Sequence, residues 1–286
     1  MVLTSCGSHN LQQAGRDATL PGEEEANVSI RVGEEVAITH AEAAESGIGL
    51  YCNAGGGRWH QVLAQSDAGV VVDKRRLDFD SVWKSSPRKS MPAESGRKFI
   101  SWDDLDVPLP DRKIPCWGFA LTYPDHRSET VEAASFRFVK EAPPMANSKA
   151  IPYRKHLDYE LEIGLLMHRD APERFGYFLA NDLTDRGVQV ETYDKKNPAP
   201  GFGKAKSFEG ALRAGPLLAI GDASAWPKMS ASLKLNGEVR QTLNAERCRL
   251  DPEQIHGELF AEHKDESWLV VATGTSGGTL FRVPET

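Results

Sequence analysis

A mainly β fold with few helices is what this sequence predicts, and three stretches predict it. Asn236-Gly237 stands between two short alternating runs, Ser232–Leu235 and Glu238–Arg240. Asn-Gly supplies the positive-φ pair that a two-residue hairpin turn requires. Trp268–Ala272 is a five-residue apolar run bounded by polar residues, the pattern of a buried strand. Leu157 to Met167, rich in apolar residues, reads as one long strand.

The remaining elements follow in chain order. Residues 1–27 are polar, carry Glu23-Glu24-Glu25, and read as a flexible start. Val28, Ile30 and Val32 alternate with polar residues, Val36-Ala37-Ile38 follows a Gly33-Glu34 turn, and Val70-Val71-Val72 is a further strand run. Together they predict a small β-rich unit over 28–110. Gly55-Gly56-Gly57 lacks the Gly-Lys-Ser/Thr continuation of a phosphate cradle and reads as a loop tip. The Pro/Ser stretch at 84–98 and the proline-rich stretch at 106–115 place a boundary between 85 and 115. A second unit, 111–286, then holds a short helix over 127–134 and strands at 157–167, 176–181 and 217–220, besides the hairpin and the closing strand.

Composition excludes several functions. A net charge of −7 gives no general attraction to nucleic acid, and Lys74-Arg75-Arg76 is too short a basic run to reverse that. No apolar run approaches the roughly 18–20 residues of a membrane-spanning helix. Leu3-Thr4-Ser5-Cys6 has the look of a lipoprotein box without the flanks such a signal requires. Cys6, Cys52, Cys116 and Cys248 are scattered with no CxxC pair, as in a reduced cytoplasmic protein.

The chemistry concentrates in "LDYELEIG", residues 157–164. On a strand, Glu160 and Glu162 project from one face, and two like charges there repel unless something compensates. A hard divalent cation is the economical partner. Asp182, where the 176–181 strand runs out, can complete three carboxylates. The alternative is two solvent-facing glutamates with an N-capping aspartate.

From about 116 to 280 the chain resembles the fumarylacetoacetate hydrolase family, with the family's pieces in order: "TYPDHRSE", "FRFVKEAP", "LDYELEIG", "NDLTDRGVQ", "KSFEG", "GP", "NGEVRQ" and "GTSGG". The resemblance implies a mixed β-sandwich roll and a homodimer built through it. Residue by residue, it implies that Glu160, Glu162 and Asp182 bind the metal, Mg²⁺ first, with Mn²⁺ or Ca²⁺ as alternatives. His126 and Glu129 match the catalytic pair, an imidazole oriented by a carboxylate. Lys206 and Lys140 match lysines that face the substrate. Arg186, Gln189, Gly274 and Thr275 match substrate-contacting positions, and Tyr123 is assigned to packing.

The implied reaction is hydrolysis of a C–C bond in a 1,3-dicarbonyl or 2-oxo acid such as an acylpyruvate. The metal stabilises an enolate, and His126 activates water. The same residues also serve decarboxylation, sugar-acid dehydration or isomerisation, and an inactive dimeric homologue is a further alternative. The chain departs from the family at Thr122 (usually Asn), Gly187 (usually acidic) and Ser276 (usually Pro). A Pro-Gly-Asp is missing before the last loop, and only eleven residues follow Thr275, fewer than the family's closing strand pair needs.

Overall fold

The computed structural model describes residues 6–8, 29–31, 47–87, 92–128, 134–151 and 153–280. The expected strand residues Val28, Val32 and 36–38, the acidic run at 23–25, and Glu129 lie outside the described residues.

Most strands join one twelve-stranded sheet. From residue 49 on, the strands inside and outside this sheet are, in chain order, β1 (Gly49–Asn53), β2 (Trp59–Ser66), β3 (Gly69–Asp73), β4 (Arg97–Ser101), β5 (Cys116–Ala120) and β6 (Phe136–Lys140). Then come β7 (Met145–Ala146), β8 (Leu157–Asp158), β9 (Leu161–His168), β10 (Phe175–Asp182) and β11 (Thr184–Asp185). The last are β12 (Leu212–Ala214), β13 (Leu217–Gly221), β14 (Ser230–Leu235), β15 (Glu238–Asn244) and β16 (Trp268–Ala272). The main ladder runs β4-β3-β2-β1-β13-β10-β9-β16-β5-β6, with β12 attached to β10 and β7 to β12. Its β1–β13 pairing carries hydrogen bonding across the boundary expected between 85 and 115. β14 and β15 form the Asn236-Gly237 hairpin, with φ of 53° and 83° at its tip.

The helices are short: α1 (Phe79–Lys84), α2 (Pro124–Ser128), α3 (Arg186–Thr192), α4 (Ala199–Ala205) and α5 (Pro252–Glu262). Helix α2 starts at Pro124, three residues before the helix expected over 127–134. A proline at a helix start gives up no intrahelical bond and has φ preset.

Period-2 alternation sorts β9 and β10 into two cores. Ile163, Leu165, Met167, Phe175, Tyr177 and Leu179 face α5 and the hairpin, meeting Ile255, Leu259, Leu233 and Leu243. Leu166, Phe178 and Ala180 face the other way, onto Trp59, Phe79, Val82, Trp83 and Leu109. Leu109 belongs to the proline-rich 106–115 stretch, which covers this second core. Gly164 has to be glycine, because a Cβ there would stand 2.2 Å from the Phe178 ring.

One expected element is corrected. The 157–167 strand is two strands, β8 and β9, separated by Tyr159 and Glu160. Three successive amides leave the ladder for side chains. Tyr159 N–H donates to Asp158 Oδ1 at 2.9 Å, Glu160 N–H to Asn181 Oδ1 at 3.1 Å, and Leu161 N–H to Gln241 Oε1 at 2.8 Å. With those donors satisfied elsewhere, strand pairing stops, and β8 pairs instead with β11.

Candidate active site

The strand break places the carboxylates. Glu162 lies on β9 opposite Ala180, and Asp182 ends β10 on the same face. Glu160 sits in the break, its carbonyl accepting the Asp182 N–H at 2.8 Å. Carboxylate oxygens of Glu160, Glu162 and Asp182 lie within 4.8 Å of one another, and all three residues are buried.

The sequence posed a question of compensation, and the fold brings buried cations to it. Lys206 caps the C-terminus of helix α4, and its Nζ reaches Glu160 Oε2 at 2.8 Å and Asp182 Oδ2 at 3.2 Å, and donates to Thr184 Oγ1 at 2.6 Å. Lys140, the last residue of β6, donates to Asp182 Oδ1 at 2.5 Å and to the Lys206 carbonyl at 2.7 Å. Arg186 opens α3. Its Nη2 donates to Glu160 Oε1 at 2.9 Å, its Nε to Asp158 Oδ2 at 2.8 Å and its Nη1 to Gln189 Oε1 at 2.7 Å. Neither lysine is the exposed residue that isolated lysines usually are; both are buried.

Electrostatics separate the two glutamates. Burial pushes the Glu160 carboxyl up, but Lys206, Arg186 and His126 outweigh it and bring it down to about 2. Glu162 is held well above the usual carboxylate range by burial and by the negative charge of Asp182, against the opposing pull of Lys206. Its polar contact is the Gly274 N–H, which donates to Oε2 at 2.9 Å. Lys206 stays an ammonium. Burial works against its charge, yet Asp182 and Glu160 raise its pKa above the ordinary lysine value.

The closing loop backs this cluster. Gly274 has φ of +97°, and a Cβ there would stand 2.2 Å from Thr122 Oγ1. Thr122, at the position where the family usually carries Asn, donates to the Thr273 carbonyl at 2.7 Å. The Thr275 hydroxyl donates to the Leu161 carbonyl at 2.8 Å and accepts from Gln241 Nε2 at 2.9 Å. Gln241 Nε2 also reaches the Ser276 carbonyl at 2.9 Å, so Gln241 staples the β9 start to the loop. Tyr123 is buried in the first core. His126 is half-buried on α2 and near enough to act on the charge of Glu160. Its expected partner Glu129 lies outside the described residues.

The fold thus gathers Glu160, Glu162, Asp182, Lys140, Lys206 and Arg186 into one buried cluster, with Gln189 on Arg186 and Gly274 on Glu162. The Arg186 and Thr275 polar groups are engaged within the chain. Sequence reasoning missed Asp158, Thr184, Asn181 and Gln241. All four stood inside quoted motifs, but which residue a polar side chain meets depends on tertiary contact. Three converging carboxylates, one of them free of a cation partner among the described residues, offer the oxygen donors a hard divalent ion takes.

The chain shares sequence and fold with known proteins. The family model for the fumarylacetoacetate (FAA) hydrolase C-terminal domain matches residues 116–283. An uncharacterized protein of Staphylococcus epidermidis is 28% identical over 233 residues, covering 73% of this chain and 73% of its own. One of Staphylococcus aureus is 27% identical over 200 residues, 63% of each chain. Among solved structures, a probable 2-hydroxyhepta-2,4-diene-1,7-dioate isomerase from Mycobacterium abscessus superposes with a TM-score of 0.54 at 18% identity, over 81% of this chain and 86% of that one. The 5-carboxymethyl-2-hydroxymuconate delta-isomerase from Mycobacterium smegmatis gives 0.52 at 16% identity, over 82% and 90%. The structural likenesses show the shared fold, mainly β with few helices. With the family model spanning more than half its length, the chain belongs to the fumarylacetoacetate hydrolase family.

Proposed function

We propose that this protein is a divalent-metal-dependent enzyme that hydrolyses a C–C bond in an acylpyruvate-like 2-oxo acid. The observation that carries this reading is the convergence of three buried carboxylates with two buried ammonium groups.

Glu160, Glu162 and Asp182 would hold the ion. A hard cation there supplies Lewis-acid stabilisation of negative charge on the 2-oxo acid. Among the described residues Glu162 has no lysine or arginine partner and the higher proton affinity of the glutamate pair, so it is the carboxylate that would exchange a proton for the cation. Lys140 and Lys206 bring N–H donors and positive charge to oxygens that gain charge as the C–C bond breaks. As a protonated ammonium, Lys206 is unsuited to forming an imine with the keto group. His126, half-buried beside this cluster, takes the proton of the attacking water, with Glu129 in the orienting role the family assigns it. Arg186, tied to Asp158, Glu160 and Gln189, fixes the orientation of Glu160.

The test is a panel of acylpyruvates, oxaloacetate and 2-keto-3-deoxy sugar acids, assayed with Mg²⁺ or Mn²⁺ and with chelator. Metal-dependent release of pyruvate and a second acid from an acylpyruvate is expected. His126→Ala should cut that rate by about 100-fold or more. Isomerised or decarboxylated product without hydrolysis would replace the hydrolase assignment. Turnover that survives chelation would remove the metal from the reading altogether.

A further inference from the structure

Lys206 Nζ occupies a particular place: it bridges two of the three carboxylates assigned to the metal. It lies 2.8 Å from Glu160 Oε2 and 3.2 Å from Asp182 Oδ2, and Thr184 Oγ1 accepts its third bond at 2.6 Å. The other oxygen of each carboxylate is also engaged, Asp182 Oδ1 by Lys140 and Glu160 Oε1 by Arg186. Two ligands of a three-carboxylate site therefore already share one cation, and that cation is part of the chain.

A divalent ion needs the same oxygens at a closer distance, roughly 2.0–2.6 Å. An ammonium and a dication on the same two buried carboxylates repel strongly. Of the three chain cations, Arg186 is anchored by Asp158 and Gln189 besides Glu160, and Lys140 by the Lys206 carbonyl besides Asp182. Among the described residues Lys206 has only the neutral Thr184 hydroxyl besides the two carboxylates the ion would take. It is the cation that gives way.

We infer that the Lys206 ammonium is an internal stand-in for the metal: it bridges Glu160 and Asp182 in the metal-free chain, is expelled when the ion enters, and then binds the carboxylate of the incoming acid. This rests on the metal-dependent reading above and adds an order of events. The ion enters first and releases the lysine, and the lysine then takes the anion. Metal and anion are accordingly coupled, each tightening the other.

The experiment is amine labelling of the full chain with acetic anhydride, with Lys206 followed by mass spectrometry and the exposed Lys204 as internal control. Mn²⁺ uptake is measured in parallel by calorimetry. Labelling of Lys206 relative to Lys204 is expected to rise severalfold when Mn²⁺ is bound. Pyruvate, as the simplest 2-oxo acid probe, should slow it again and tighten Mn²⁺ about tenfold in the native chain. That tightening is expected to vanish in Lys206→Met. Should Lys206→Met not fold, Thr184→Val serves, because it removes only the hydroxyl and should speed Lys206 labelling before any metal is added. Mn²⁺ uptake with unchanged or slower Lys206 labelling would overturn the stand-in while leaving the metal site intact. No Mn²⁺ uptake by the native chain would overturn both.

Discussion

Glu162 and Trp268 lie on one face of one sheet, on adjacent strands, and the surroundings of the two could hardly differ more. Around Trp268 the face is aromatic: its ring centroid is 4.7 Å from Trp83 and 5.3 Å from Phe79, which in turn lies 5.2 Å from Trp59. Around Glu162, a few residues along β9, it is ionic: Glu160 and Asp182 with Lys140, Lys206 and Arg186. The aromatic end gains stability from area removed from water and from edge-to-face packing. At the ionic end, desolvating several charges consumes much of what their attraction returns. One end of the face therefore stabilises a fold that the other end strains.

The contrast is sharpened most by Asp182→Asn. Removing one carboxylate charge at nearly constant shape should lower kcat/KM by about 1,000-fold or more, a loss of about 4 kcal/mol in transition-state stabilisation. It should also abolish any metal-induced rise in Tm. Trp268→Ala is the counterpart. It should lower stability by about 3–5 kcal/mol in a urea titration and leave any metal-induced rise in Tm intact. If the two variants exchange these phenotypes, the division of labour is wrong.

Acid offers a third test, on the metal-free protein. Glu160 is depressed in the folded state to about 2, so the stability it contributes is complete above the unfolded value of about 4.3–4.5. That contribution, at most about 3 kcal/mol, is lost as pH falls through about 2. Glu162 is raised, so its contribution has the opposite sense, present below about 4.5 and lost as pH climbs through its folded value. Denaturant midpoints measured against pH should therefore fall below about 4.5 in the native chain, and fall less in Glu160→Gln. Metal binding should weaken on acidification as Glu162 takes up its proton. The smallest effect belongs to Gly274→Ala. A side chain at φ +97° that close to Thr122 should cost about 2 kcal/mol of stability. Thermal melts check the loss, and a parallel drop in metal affinity would show that the Gly274 N–H positions Glu162.

Much of the sheet was legible from local pattern. Asn236-Gly237 has only the two positive-φ residues a tight hairpin needs, and Trp268–Ala272 has the apolar run of a strand buried on both faces. The three carboxylates were legible because their mutual repulsion demands a partner wherever the chain goes. The 157–167 break was not. It depends on Asn181 and Gln241, 21 and 80 residues distant from the amides they capture, and no local propensity announces such partners. The same holds for Lys140 and Lys206. Their motifs suggested lysines that face substrate, and no local pattern announces the carboxylates that hold each ammonium in the folded chain.

The β1–β13 ladder has one more consequence. Leu217–Gly221 on β13 bonds on one side to β10 and on the other only to Gly49–Cys52. The half of the chain that carries the carboxylates, made without residues 47–101, would present a row of bare amides and carbonyls flanked by Leu217, Leu218 and Ile220. An apolar open edge of that kind recruits strands from other molecules. Truncation there should yield self-association, visible by light scattering, before it yields a smaller working enzyme.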